Sequence, residues 1–209
     1  MNERRYADGR RVLARVAGVL YERRLTELVG GNMSLRVDDA VVMTPTKASE
    51  ERGWRLAAGD TLVQRLDGEL LIGEEAMISR EIRIHMRLYR TFPEVGCVFH
   101  LHLPEAIAAA VARWQPGVVA DTSEPHGAAV VVLERDLRAQ TEPHDARAVE
   151  LLGQVSRADG AIAIGSMHGT FGVARDLATN VRVADVFRQR LEADLLRARL
   201  RRVRAGGVA

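Results

Sequence analysis

The sequence predicts an α/β fold of three layers, with helices on both sides of a central mixed, largely antiparallel sheet. Strand-like and helix-like stretches alternate along the chain, the pattern of a sheet covered by helices. Two acidic turns in the first half, Asp38-Asp39 and Asp67-Gly68, join adjacent strand-like runs and so predict antiparallel hairpins. Apolar residues make up 47% of the 209 residues, enough to fill a substantial core. The expected organisation is one domain over 1–209, with a basic tail over 204–209.

The elements follow in order. Gly9–Leu28 places Val12, Leu13, Val16, Val19 and Leu20 on one helical face and stops at Gly30-Gly31. Asn32–Val37 and Ala40–Met43 form the first hairpin, followed by the polar loop Thr44-Pro45-Thr46-Lys47. Thr61–Leu66 and Glu69–Ile72 form the second hairpin. Ser79 reads as a helix N-cap, with Glu81 near the first turn and the helix running through Tyr89. Ile82, His85, Met86 and Tyr89 share a stripe of it, and His85 reads as a packed or hydrogen-bonded core histidine rather than a ligand. Thr91-Phe92-Pro93-Glu94 ends that helix and leads into the apolar strand Val95–His102. Pro104–Arg113 is an alanine-rich helix. Gly117–Ala120 and Ala128–Leu133 are strand-like, with Glu124-Pro125-His126-Gly127 as a loop between them. Asp145–Arg157 reads as a helix, Gly160–Ile164 as a buried strand, Gly172-Val173 as a brief continuation, and Leu177–Val203 as one long helix or a pair.

Composition narrows the function. Lysine and arginine together number 30 against 28 aspartates and glutamates, a net charge of only +2. The arginines of Arg197–Arg204 read as a solvated helix face, and with no accompanying motif no nucleic-acid partner is expected. Cys97 is the single cysteine, so neither a disulfide framework nor a thiolate zinc cluster is available, and any metal must be held by nitrogen and oxygen. No apolar run reaches the roughly 20 residues of a membrane span, and the N-terminus lacks an apolar signal core. No membrane partner is expected, and the expected location is cytoplasmic.

Val95–His102 carries the most chemistry. Successive strand side chains alternate faces, so His100 and His102 point the same way. Two imidazoles so placed can share a metal ion, or can be ordinary polar groups on a half-buried strand. Zinc would require at least one further protein ligand. Gly31-Asn32-Met33-Ser34 and Thr44-Pro45-Thr46 offer hydroxyls and backbone N–H groups that either cradle an anion or serve as turns. His126 and His144, in proline-flanked contexts, read as surface histidines.

From Gly31 to the last helix the chain resembles the class II aldolase/adducin family. Gly31-Asn32-Met33-Ser34 matches its GN-x-S, and Thr44-Pro45-Thr46 its TPT or TPS loop. Leu56–Leu70 matches a segment built around Gly-Asp and Asp-Gly. Ser79-x-Glu81 with His85 four residues on matches S-S-E-x-x-x-H. Phe92–Val95 with Val98–His102 matches P-x-V-x-x-V-x-H-x-H, and Met167-His168-Gly169 matches the N-H-G or H-H-G site.

The resemblance implies that His100, His102 and His168 hold Zn2+, with Fe2+, Mn2+ or Co2+ as alternatives, leaving an open coordination position. It implies that Glu81 moves the proton and that Asn32, Thr46, Lys47, Ser79 and Arg80 bind a substrate anion. The implied activity is that of an aldolase-type lyase on a small hydroxy-carbonyl substrate carrying phosphate or carboxylate, through an enediolate stabilised by the metal. A 3-oxo acid decarboxylase, a dehydratase or an epimerase would use the same chemistry. The adducin branch, an interaction module without catalysis, predicts degraded ligands, whereas all three histidines and Glu81 stand here. The implied assembly is a homo-oligomer, a tetramer. Lys47 replaces a family glycine and Arg80 a family serine. Both add positive charge at the anion site, and Arg80 favours a carboxylate held in a fork. Met77-Ile78 replaces a family proline, Met167 a polar neighbour of the third ligand, and no tyrosine follows Tyr89 to match the family's C-terminal one.

Overall fold

The computed structural model describes residues 3–111, 129–132, 140–154, 160–165 and 168–204. Among them eight strands form one sheet: β1 (Asn32–Val37), β2 (Ala40–Met43), β3 (Leu62–Arg65), β4 (Leu70–Ile72), β5 (Cys97–Leu101), β6 (Ala129–Val132), β7 (Ala161–Gly165) and β8 (Gly169–Ala174). Their order is β4-β3-β2-β1-β5-β8-β7-β6. The β6–β7 pair is parallel and the others are antiparallel, the mixed sheet expected. The helices are α1 (Ala7–Glu22), α2 (Ala48–Arg52), α3 (Ile82–Thr91), α4 (Pro104–Val111), α5 (Glu142–Leu152) and α6 (Leu177–Arg204).

Strand alternation divides the core into two faces. Met33, Leu35, Cys97, Phe99 and Leu101 pack with Leu13, Ala17 and Leu20 of α1, Ala106 and Ala109 of α4, and Val183, Phe187 and Leu191 of α6. Val98, Phe171 and Val173 face the other way, against Ile84, Leu88 and Tyr89 of α3 and Ala148, Val149 and Leu152 of α5. These are the three layers. Two registers then set the site. On β1–β5 Asn32 stands opposite His100, and on β5–β8 His100 stands opposite Phe171. Asn32, His100 and Phe171 form one row across the centre of the sheet.

Several boundaries differ from expectation. The first helix stops at Glu22, not Leu28. Arg24 adopts a left-handed φ of +58° and the Leu25 amide bonds back to the Leu20 carbonyl at 2.8 Å. This is a glycine-type closure made without glycine, which hid it in the sequence. Val12 lies off the buried face, 47% exposed. Ser79 is not the N-cap of α3. Glu81 occupies that position, and the Ser79 hydroxyl, two residues before it, accepts from the Glu81 amide at 3.3 Å. The fifth helix begins at Glu142 because Pro143 suits a first turn, and it ends at Leu152 before Gly153. That shift carries His144 into the helix, where it is buried against Phe171 rather than on the surface. The short helix α2 was not anticipated. The last helix is single over its 28 residues. Gly117–Ala120, the loop with His126, Met167 and the tail beyond Arg204 lie outside the described residues. No helix among the described residues is long and apolar enough to cross a membrane.

His85 is a core histidine, as read. It is fully buried, with Nδ1 2.7 Å from the Ser34 hydroxyl, which is in turn 2.8 Å from the Tyr89 hydroxyl. Burial pushes its pKa down to about 4, against the pull of Glu81 and Asp145. The unfolded chain therefore binds this proton first as pH falls. The stability His85 contributes is complete above pH 6.5 and is lost between 6.5 and about 4. The loss from this group is on the order of 3 kcal/mol at most. Urea unfolding of the metal-free protein at pH 7.5 and pH 4.5 should show the drop. In His85→Gln it should shrink, and an equal drop in both proteins would assign it elsewhere.

Candidate metal centre

His100 sits mid-sheet, its ring stacked on Phe171 with centroids 4.4 Å apart. Its Nδ1 donates to the Thr170 carbonyl at 3.2 Å, which places the ring proton there and leaves Nε2 as the free lone pair. His102 follows the end of β5 and turns to the same side, its Nε2 3.0 Å from that of His100. A hydrogen bond to the Val29 backbone holds it from behind. His168 enters from the turn between β7 and β8, its ring 5.2 Å from that of His100 and 5.1 Å from that of His102. One nitrogen from each of the three lies within 4.8 Å of the others.

These residues fit a divalent metal. Two nitrogens bound tetrahedrally to zinc at about 2.0–2.1 Å stand about 3.3 Å apart. The 3.0 Å between His100 and His102 matches that separation. Burial pushes His100 down to about 3 and also lowers His102, so both present the neutral imidazole a metal requires.

Two glycines make room for these rings. A Cβ on Gly30, whose φ is +77°, would meet the His102 ring at 2.4 Å. A Cβ on Gly169, whose φ is +115°, would lie 2.6 Å from the Leu101 carbonyl oxygen and 3.0 Å from the His102 ring. Gly30 thus serves the histidine, not the helix stop assigned to it from sequence. Gly169→Ala should destabilise by about 1–3 kcal/mol through backbone strain. It should also lower metal occupancy by displacing His102. Elemental analysis beside urea unfolding checks both, and full occupancy in Gly169→Ala would contradict this packing.

Glu81 caps the site from the start of α3. Asn32 Nδ2 donates to Oε2 at 2.5 Å, His168 Nε2 to Oε1 at 3.0 Å, and Gln140 Nε2 to Oε1 at 3.4 Å. His100 Nε2 is 3.4 Å from Oε1. Burial opposes the charge of this carboxylate. The imidazoles of His100 and His168 and the Asn32 amide outweigh it and hold the pKa well below the carboxylate range. The site therefore presents a charged carboxylate beside the neutral imidazoles of His100 and His102.

The predicted anion-binding residues divide. Ser79 is buried and accepts from Asn32 Nδ2 at 3.3 Å, so both adjoin Glu81. Thr46 joins this neighbourhood through its amide, which donates to the Met77 carbonyl at 2.8 Å. Lys47, the only lysine in the chain, holds a left-handed φ of +56°, and its Nζ lies 3.4 Å from Glu51 at the surface. Arg80 is exposed and pairs with no described residue. The structure thus brings together Asn32, Ser79, Glu81, His100, His102 and His168, and leaves Lys47 and Arg80 on the exterior. Sequence reading missed Phe171 and Gln140, and gave the two glycines no part in seating His102. The glycines had a signal in their proximity to Asn32 and His168. Gln140 had none.

Three imidazoles and a carboxylate thus gather around the end of β5, on a three-layer fold of the class II aldolase type. The chain belongs to the family described as the class II aldolase and adducin N-terminal domain, whose model matches residues 11–195. Among curated proteins it is similar to the methylthioribulose-1-phosphate dehydratase of Stenotrophomonas maltophilia, 38% identical over 38% of this chain and 36% of that protein. It is also similar to that of Marinobacter nauticus, 33% identical over 49% of this chain and 48% of that protein. The matches thus span about a third to a half of those relatives. Among solved structures it resembles an L-fuculose 1-phosphate aldolase, with TM-score 0.73 and 18% identity over 93% of this chain and 88% of that one. A sugar-phosphate aldolase from Thermotoga maritima gives TM-score 0.71 and 16% identity over 92% and 96%.

Proposed function

We propose that this protein is a metal-dependent lyase of the dehydratase type, acting on a small phosphorylated hydroxy-ketone. The observation that carries this reading is the Glu81 carboxylate set 3.0 Å from His168 Nε2, within a cluster of three convergent imidazoles. His100, His102 and His168 would hold the ion, for which a nitrogen donor set suits zinc. Bound there, the ion would supply Lewis acidity toward a carbonyl oxygen.

The rest falls to the chain. Glu81 takes the proton from the carbon beside the carbonyl. The hydroxyl on the next carbon leaves as a double bond forms between the two carbons. The proton passes from Glu81 to the leaving oxygen and completes a water molecule. Asn32 and Ser79 at the floor, Thr46 beside them, and Lys47 and Arg80 from the rim would hold the phosphate. A homo-oligomer, a tetramer by family resemblance, belongs to the same reading.

Aldol cleavage stood first on sequence, and the structural neighbours with aldolase names share the fold at under 25% identity. The dehydratase reading is favoured by curated relatives at 33–38% identity. The test is incubation of the zinc-loaded protein with 5-methylthioribulose 1-phosphate and, separately, with fuculose 1-phosphate. Mass spectrometry should show a product lighter by one water from the first. Release of a three-carbon keto phosphate from the second alone would establish aldol cleavage instead.

A further inference from the structure

We propose that Gln140 is a positioning residue for Glu81, an inference that rests on reading Glu81 as the base. Gln140 precedes α5 with a left-handed φ of +61°, where glycine is the easier residue. A glutamine there uses its side chain: Nε2 reaches Glu81 Oε1 at 3.4 Å. Its backbone is clamped in turn. Arg83 Nη2 donates to the Gln140 carbonyl at 3.1 Å, and Arg83 Nε to Asp145 Oδ2 at 2.7 Å. Asp145 is buried, its other oxygen 3.3 Å from His144 Nδ1. The start of α3 and the start of α5 are therefore tied twice, once through the base and once two residues beyond it.

The chemistry of the clamp suits a base. Asn32 donates to Oε2 and Gln140 to Oε1, so two amides grip different oxygens and fix the carboxylate plane. An amide does not titrate, so it orients the carboxylate without competing for its proton. The nearby cation is diverted: the Arg83 guanidinium is held by Asp145 and a carbonyl.

Gln140→Met and Gln140→Gly separate positioning from structure. Glycine removes the carboxamide while easing the backbone, so the fold is kept. Both variants should retain the wild-type metal content, lose about tenfold or more in kcat and keep KM within about twofold. A second readout needs no metal and no turnover. In the metal-free protein the Gln140 side-chain NH2 resonances, identified by their loss in Gln140→Met, should move on Glu81→Ala. Wild-type kcat in Gln140→Gly, or NH2 resonances indifferent to Glu81→Ala, overturns the proposal. If the parent turns over no substrate, the reading of Glu81 as base fails, and the resonance shift still decides whether Gln140 grips it.

Discussion

Glu81→Gln keeps its metal and loses turnover by about 10²–10⁴, the range that general acid–base groups supply. The substitution conserves size. It leaves His100 anchored on Thr170 and Phe171 and His102 anchored on Val29. What it removes is the capacity to accept a proton. In the wild type that capacity is present throughout neutral pH, because the surrounding imidazoles and the Asn32 amide keep the carboxylate ionised despite its burial. Measuring kcat and zinc content on one preparation separates the two roles. Lost turnover with full metal marks Glu81 as the proton carrier. Lost metal would make it a ligand instead, and full activity would remove it from the mechanism.

The site was legible in proportion to how local its geometry is. His100 and His102 share a face because two residues of strand repeat the pleat, which sequence spacing states directly. His168 and Glu81 were reached only through family resemblance, since nothing in the spacing of residues 81, 100 and 168 says that α3 and the β7–β8 turn meet over β5. Register decides that, and register depends on which strands pair. Gln140 was invisible for a further reason: its place follows from a left-handed turn without glycine and from the Arg83–Asp145 pair, both tertiary. The same kind of turn at Arg24 hid the end of α1. For Lys47 and Arg80 the sequence displayed the charge but not the setting: one lies beside Glu51 and the other is exposed, both outside the buried cluster around Glu81.

His100→Ala/His102→Ala should abolish metal binding, taking occupancy from about one ion per chain to none. Activity should fall to background with it. The loss has to be distinguished from collapse of the core, because His100 is fully buried and stacked on Phe171, so its truncation leaves a cavity. His102→Ala alone provides the control. That ring is half-buried beyond the end of β5, and Gly30 presses on it with no side chain of its own, so its removal opens the site without hollowing the sheet. Thermal unfolding with and without zinc then reads the centre independently of catalysis. A ligand at 100 times its Kd stabilises the folded state by about 2.7 kcal/mol. The wild-type Tm should therefore rise on adding zinc, and the Tm of either variant should not. An equal rise in His102→Ala would place the ion elsewhere on the protein. Absence of any rise or bound metal in the wild type would remove the metal from the proposed reaction and return the weight to a non-catalytic, adducin-like module.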